Sequence, residues 1–470
     1  MVIKDSKTRI ENWNLLLEKG NENKLQAALQ EAPLIEVADF IIQKPLRTVL
    51  QLFCLFEKTE QATLFSHFLE EDQLKIYNEL PRRMIAEIFA IMPSNERVDF
   101  YQKLDEKEQS RLLPYLPKKV KKDVIALCAY PAETAGGIMS TDFATIEENM
   151  TVEEALNKIR QDAPSRKMMY YIYVLDEEKQ MKGILSLKDL VLADAKVMIQ
   201  TIMEDTFIFV HVNEDRESVA RKIAKYDLVA LPVLNEKEQM LGIVSHDQAM
   251  DVLRDEDTED IEHFGAISPT KEKSDYLHTS SIQHFKKRIT WIIGLFFASF
   301  GSALVMHRYE TMLSHLAILL LYFPMITDAG GNTGSQAATV VIRALSLGEV
   351  SVKDWLFILF KELKVAFMFV LCLFFLGFLK VLLFSGLLGE ILFKGNTLPL
   401  PAEGLYHLAL VIAIALSLQV MTSTLIGAGL PLLIKWRGGD PALAASAAIT
   451  TIVDVTGLFI YFNTAMVLLH

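Results

Sequence analysis

Asp454 stands inside the last apolar run of the chain, in the stretch TTIVDVTG from Thr450 to Gly457. A carboxylate at mid-helix in a bilayer costs about 2.5–3.5 kcal/mol even on the most lenient insertion scale. The run holds no Lys or Arg to pair with it. Counted from Pro441, the residue lies roughly 14 positions in, about 21 Å of helical rise, which argues against an interfacial place. An unpaired acid at that depth is by default a cation or proton site. A second unusual stretch, FPMITDAGGNTGSQAAT (Phe323–Thr339), carries a proline, three glycines, an aspartate and an asparagine. Irregular backbone at membrane depth is tolerated only when buried in protein or lining a wet cavity. Gly330, Gly331 and Asn332 are therefore expected to break or bend their helix and to face the same path as Asp454.

The donors in these stretches are carboxylate, amide, hydroxyl (Thr450 among them) and carbonyl oxygens, with no His/Cys cluster. Oxygen-only ligation suits hard cations such as Mg²⁺, Ca²⁺ or Mn²⁺. Mg²⁺ sheds its water reluctantly, so a wide site that holds it through its hydration shell is expected. One acid per chain is little charge for a divalent ion; a symmetric dimer with two Asp454 side chains on one axis doubles it. The same residues also allow a transporter of another divalent cation (Co²⁺, Mn²⁺) or a proton-coupled exchanger. A membrane-tethered sensor without transport is disfavoured, because an anchor needs neither Asp454 nor an irregular span.

The elements that must hold these residues are membrane helices. Spanning takes about 20 mostly apolar residues. Five runs qualify, near Ile289–Met306, Leu313–Leu345, Trp355–Leu383, Leu405–Ile434 and Ala442–Leu469. Of the 470 residues 51% are hydrophobic, but unevenly: residues 1–284 carry 35 Lys+Arg and 50 Asp+Glu, residues 285–470 only 12 and 9. An acidic half thus precedes a membrane half, and such charge repels nucleic acid and attracts cations. Lys286, Lys287, Arg288, Arg343, Lys353, Lys361, Lys364, Lys435 and Arg437 gather on one side of the spans, against Arg308 and Lys394 on the other. That bias places the acidic half in the cytoplasm and the C-terminus outside. The polar N-terminus MVIKDSKTRI has no signal-peptide core. Cys54, Cys128 and Cys372 form no CxxC pair, which suits a reducing compartment.

Within the acidic half, VLDEEKQMKGILS (Val174–Ser186) returns as VLNEKEQMLGIVS (Val233–Ser245), 59 residues later. Each copy reads as strand, acidic turn, strand with Gly183 or Gly242, then a helix, Lys188–Ala193 or Asp247–Arg254. So many matches at one offset mark a duplicated unit. Before it, Leu69–Pro81 is loosely echoed by Leu104–Pro117, about 35 residues on, which suggests stacked helical hairpins of the solenoid type. After it, MDVLRDEDTEDIEHFGAI (Met250–Ile267) is strongly acidic. Its carboxylates, among them Asp251, Glu256, Glu259 and Asp260, are expected to repel one another without an ion. No P-loop, GxGxxG, HExxH or Ser/His/Asp arrangement occurs, so no enzymatic activity is expected.

In combination and order these pieces resemble the MgtE family of magnesium channels over nearly the whole chain. The matching pieces are the helical N-terminal part, the repeat (similar to a tandem CBS pair), TEDI at Thr258–Ile261, GGNTGSQ at Gly330–Gln336, DPA at Asp440–Ala442 and DVTG at Asp454–Gly457. The resemblance implies a multi-domain membrane protein. Its parts would be an all-α helical-repeat N-terminal domain (1–133), an α/β tandem CBS pair (134–254), a connecting plug helix (255–284) and a five-helix α transmembrane domain (285–470). It implies a homodimer in the lipid bilayer of the cell membrane that takes up Mg²⁺ and is closed by intracellular Mg²⁺.

The family's pore aspartate falls on Asp454, with Gly331, Asn332 and Thr450 completing the path. Its cytosolic Mg²⁺ sites map in part onto Glu217, Asp227, Asp251, Glu256, Glu259 and Asp260, while Gln248 stands where an acid is expected. Some relatives bind ATP at the CBS pair. Tyr171 and Asp189 fit that pattern, but Lys188 stands in place of arginine and Leu228 in place of an aromatic residue.

Overall fold

Helix starts in the first part of the chain fall 12 residues apart. The positions before each helix are Asn21, Pro33, Pro45, Glu57, Leu69, Pro81, Pro93, Asp105 and Pro117, and the helices they open are 7–10 residues long. Proline suits a helix start, where its missing N–H leaves no ladder bond unmade. The same step recurs inside the domain. Gln61, Gln73, Arg97 and Gln109 reach back to carbonyls at the end of the preceding helix, at 2.6–3.1 Å. They satisfy acceptors that a helix C-terminus leaves unpaired. Ile85 holds the intervening step with hydrocarbon and is fully buried. The period of about 35 read from the sequence is thus corrected: it is close to three of these steps. Phe65 and Phe89 both meet Phe100 edge-on, at 5.1 and 5.6 Å. Burial pushes the pKa of Arg97 down, against the pull of Asp142 and Asp123.

The computed structural model describes residues 6–162, 168–269, 276, 279–387, 402–444 and 446–469. They form two compact units, one of Met1–Glu256 with Glu272–Tyr276, the other of Asp257–Lys271 with Leu277–His470. In the first unit β1 (Phe143–Glu147) runs parallel to β2 (Met168–Leu175), which pairs antiparallel with β3 (Met181–Ser186). β4 (Val210–His211), β5 (Ala230–Leu234) and β6 (Met240–Ser245) repeat that order. The 59-residue offset holds in detail. Val174 pairs with Gly183 and Val233 with Gly242. Asp176 and Asn235 each close their turn by accepting two backbone N–H bonds. Lys179 and Glu238 share a positive φ, 63° and 59°. The hairpin tips join: Met181 N donates to Glu238 O at 3.2 Å, and Met240 N to Lys179 O at 3.1 Å.

Among the described residues, the helices of at least 18 residues are α1 (His246–Phe264), α2 (Ser281–Ala298), α3 (Leu319–Ser346), α4 (Trp355–Val381), α5 (Ala402–Trp436) and α6 (Ser446–Leu469). The sequence suggested that a helix ends at Arg254 and a separate connector follows. Instead α1 runs unbroken through both, because neither Gly nor Pro interrupts it before Gly265. It stops there, with Ala266 at φ 55°. Residues 270–275, 277 and 278 of the expected connector, and Lys394 beyond α4, lie outside the described residues. α2 already begins at Ser281 and is followed, past Ser299, by a further helix, Phe300–Arg308.

Among the described residues, four helical segments of the second unit are long and apolar enough to cross a membrane: Ser281–Arg308, Val352–Ser385, Gly404–Trp436 and Ser446–Leu469. The expected second span, α3, is long enough but is not among them. It nonetheless packs as a core helix, with Leu319, Tyr322 and Ile326 buried against Leu408, Ile412 and Leu416 of α5 and Leu458, Tyr461 and Phe462 of α6. The expected break at Gly330–Asn332 is absent: α3 is continuous helix from Leu319 to Ser346. Its glycines serve helix contact instead. A β-carbon on Gly427 of α5 would collide with the backbone of Gly334, so the two helices touch main chain to main chain. Small residues permit such approach in membranes, where dispersion packing has to hold helices together.

Candidate cation path and regulatory acids

α3 and α6 lie antiparallel. Tyr461 donates its hydroxyl to Leu319 O at 2.8 Å near one end, and Ser446 Oγ donates to Ser335 Oγ at 3.0 Å nearer the other. Between these points Thr450 sits over Gly331, its Cγ2 only 3.3 Å from where a β-carbon would be. One turn further along α6 comes Asp454, half-buried. The sequence-predicted residues Gly331, Thr450 and Asp454 are thus brought together, with Gly331 buried and Asn332 exposed on the neighbouring edge of α3. α6 begins at Ser446 and not Pro441, because Asp440 instead caps a short turn, Pro441–Leu443, by accepting from Ala442 N at 2.9 Å. Asp454 therefore lies about 12 Å of rise into its helix, shallower than the sequence suggested.

Thr450 Oγ1 donates to Ser446 O at 3.0 Å, and Thr333 and Thr451 make the same kind of bond one turn back. These bonds use the hydroxyl protons and leave oxygen lone pairs as acceptors, the polarity a cation needs. Gln419 of α5, fully buried, donates Nε2 to Val453 O at 3.0 Å. It fits only because Gly330 and Gly457 have no side chains there. It pins the carbonyl just before Asp454.

Two residues of this neighbourhood escaped the sequence reading. One is Gln419, in an otherwise ordinary apolar run. The other is Asp328, noted in the sequence only as the aspartate of its stretch: its charge acts on Asp454. Its signal was available, since no Lys or Arg occurs between Arg308 and Arg343 to neutralise it.

The acids expected to be regulatory are placed differently from the expectation of mutual repulsion. Glu217 pairs with Arg221, Asp251 with Arg254 at 3.5 Å, Glu256 with Arg216 at 2.8 Å and Glu259 with His263 at 3.5 Å. Asp227 follows the helix Arg216–Lys225 at φ 50°. Asp260 accepts from Ser346 Oγ at 3.4 Å. Burial works against the Arg216 charge, but its bond to Glu256 and the charge of Glu133 hold its pKa above the usual value. Among the described residues no three His, Cys, Asp or Glu side chains converge as metal ligands. Gln248 acts locally, where its Oε1 accepts from Ser245 N at 2.8 Å and closes the first turn of α1. At the proposed nucleotide position, Tyr171 lines a small hollow with Tyr170, Tyr173, Val229, Ala230 and Ile243. Lys188 is exposed, and Asp189 is engaged as a helix cap with Ser186.

Comparison with known proteins gives matches over most of the chain. The family model described as divalent cation transporter, MgtE, matches residues 323–464, the MgtE intracellular N domain matches 32–133, and the CBS domain matches 135–196 and 199–255. The magnesium transporter MgtE of Thermus thermophilus is 36% identical over 348 residues, 74% of this chain and 73% of that one. The magnesium transporter MgtE of Enterococcus faecalis is 31% identical, over 73% of this chain and 71% of its own. Among solved structures, the cytosolic domain of the Mg²⁺ channel MgtE in complex with ATP is 32% identical, with a TM-score of 0.50, covering 52% of this chain and 99% of that one. The chain belongs to the MgtE family of divalent cation transporters.

Proposed function

We propose that the chain is a Mg²⁺ channel, working as a homodimer in the cell membrane, whose conduction path is lined by α3 and α6. The observation that carries this is the convergence of Asp454, Thr450 and Gly331 on one antiparallel helix pair that holds no Lys or Arg on its facing stretches. The relatives named as magnesium transporters support the choice of ion. A hydrated Mg²⁺ would be held by its water shell against Asp454 and the hydroxyl and carbonyl oxygens of α3 and α6, with Asn332 adding its amide oxygen. A second copy would double the charge around one axis. The basic residues flanking the spans support a cytoplasmic acidic half and a C-terminus outside. Reconstituted Asp454→Asn protein keeps the shape and loses the charge. It is expected to fold and to dimerise but to pass no Mg²⁺; wild-type flux would sink the assignment.

We further infer that cytoplasmic Mg²⁺ closes the path through Glu217, Asp227, Asp251, Glu256, Glu259 and Asp260, in a regulatory region built from the helical domain (1–133), the CBS pair (134–254) and the connector (255–284). The donors are oxygens, as Mg²⁺ requires. Glu217, Asp251, Glu256 and Glu259 stand in partly exposed ion pairs, worth about 0–1 kcal/mol each, which a divalent ion can replace. Moving a two-state equilibrium from mostly open to mostly closed takes about 5.5 kcal/mol of differential binding, a sum that several weak sites can share. Neutralising Glu259 and Asp260 together should leave a channel that conducts at high internal Mg²⁺. An open probability that still falls with internal Mg²⁺ as in the wild type would remove these two residues from the regulatory set.

A further inference from the structure

We propose that Asp328 is a second carboxylate of the conduction path, facing Asp454 across the α3–α6 contact, and that it sets the affinity of the path for divalent ions. The inference rests on the reading of α3 and α6 as the path. Its geometry follows from the helical register. Ser335 meets Ser446 at 3.0 Å, and Gly331 meets Thr450 one turn away. In an antiparallel pair the next turn, backwards along α3 and forwards along α6, brings Asp328 level with Asp454. The charge of Asp328 accordingly bears on Asp454. Asp328 is exposed, as are Asn332 and Gln336, which follow it along α3 at intervals of one turn. The three form one polar edge that begins with a charge.

Two like charges in an apolar environment disfavour one another, and each already carries the insertion penalty of an intramembrane acid. α3 and α6 supply no Lys or Arg besides Arg343, which lies 15 residues beyond Asp328, about four turns. A cation between the carboxylates removes both penalties together, and a divalent ion does so without excess charge. Asp328 would thus raise the occupancy of the path at low Mg²⁺ and favour divalent over monovalent ions. Asp454, wedged beside Thr450 and pinned through Gln419 and Val453, would hold the ion in place.

The test is Mg²⁺ flux into proteoliposomes as a function of external Mg²⁺, for wild type, Asp328→Asn, Asp328→Ser, Asp328→Glu and Asp454→Asn, with Na⁺ flux measured in parallel. Asp328→Asn should raise the half-saturating Mg²⁺ about tenfold, keep the flux at saturation within roughly twofold, and lower the Mg²⁺/Na⁺ preference. Asp328→Ser, smaller and equally neutral, should do the same and carries the test alone should the Asn protein not fold. Asp328→Glu should restore the wild-type value. A merely structural role would move expression and melting temperature, but not half-saturation and ion preference with rescue by Glu. Neutral variants with wild-type half-saturation, beside an inactive Asp454→Asn, would overturn the role of Asp328 and leave the path intact. Wild-type flux in Asp454→Asn as well would overturn the path itself.

Discussion

α3 and α4 are consecutive long helices of the second unit, 28 and 27 residues, and one edge of α3 differs in chemistry from the outer face of α4. α4 turns Phe357, Phe360, Met368, Leu371, Phe375 and Leu376 outward. α3 turns out Asp328, Asn332, Gln336 and Thr339 along one edge. The segment containing α4 is apolar enough to be recognised as a span, and α3 is not. Exposure on a membrane helix therefore has two meanings. On α4 the exposed groups are hydrocarbon, which lipid can cover; on α3 they are polar groups that lipid would leave unsatisfied, so this edge suits water, ions or another protein chain. The helix less suited to lipid by composition is the one proposed to line the path.

The contrast extends to how each helix meets α5, and there the largest effect is expected. Gly427→Ala puts a methyl group into the backbone of Gly334 on α3, where nothing can rotate away. Overpacking costs about 1–3 kcal/mol where side chains can adjust; against main chain the cost should be higher, and the bundle should fail to survive purification as a monodisperse species. Gly377→Ala on α4 points its methyl group at Leu416 Cδ2, 2.9 Å away, the far end of a flexible side chain. Relief by a rotamer change, together with about 1 kcal/mol gained from helix propensity, should leave the melting temperature nearly unchanged. Equal losses in the two variants would mean that α3 and α4 do not differ in how rigidly they are held.

Which of these features could be read in the sequence depends on how many meanings a residue has. The duplicated hairpin was legible because its parts are chemically constrained: Asp176 and Asn235 accept the same turn bonds, and Gly183 and Gly242 sit where a side chain would strike Met203 or Met139. The 12-residue step of the helical domain was not. Its helix starts use Asn, Pro, Glu, Leu and Asp, and its buried braces are Gln61, Gln73, Arg97 and Gln109, so the identities change while the geometry repeats. In the sequence the glycines of α3 suggest a break, and the structure shows close helix contact instead. Glycine can mean a broken helix or a close contact, and only the neighbouring helices, with Gln419 and Gly427 of α5 and Thr450 of α6 at the right heights, decide for contact. Asp454 was legible because it stands alone among apolar residues, whereas Asp328 was lost among polar neighbours that shared its explanation.

The smallest expected effect lies on α4, and it tests the distinction most sharply when set beside its counterpart on α3. Phe375 is 68% exposed. If it faces lipid, Phe375→Leu exchanges one apolar surface for another in a medium as apolar as leucine itself, so neither helix packing nor flux has reason to change. Mg²⁺ flux at saturation and half-saturation should both stay within the error of the assay. Gln336→Leu makes a change of similar size on the exposed edge of α3, but there it removes an amide that water or an ion can use, and flux should drop several-fold. The comparison is internal, since both positions are exposed and both variants end in leucine. Should Phe375→Leu reduce flux as much as Gln336→Leu, the outer face of α4 is part of the transport machinery, and the assignment of polar and apolar exposure to different roles is wrong.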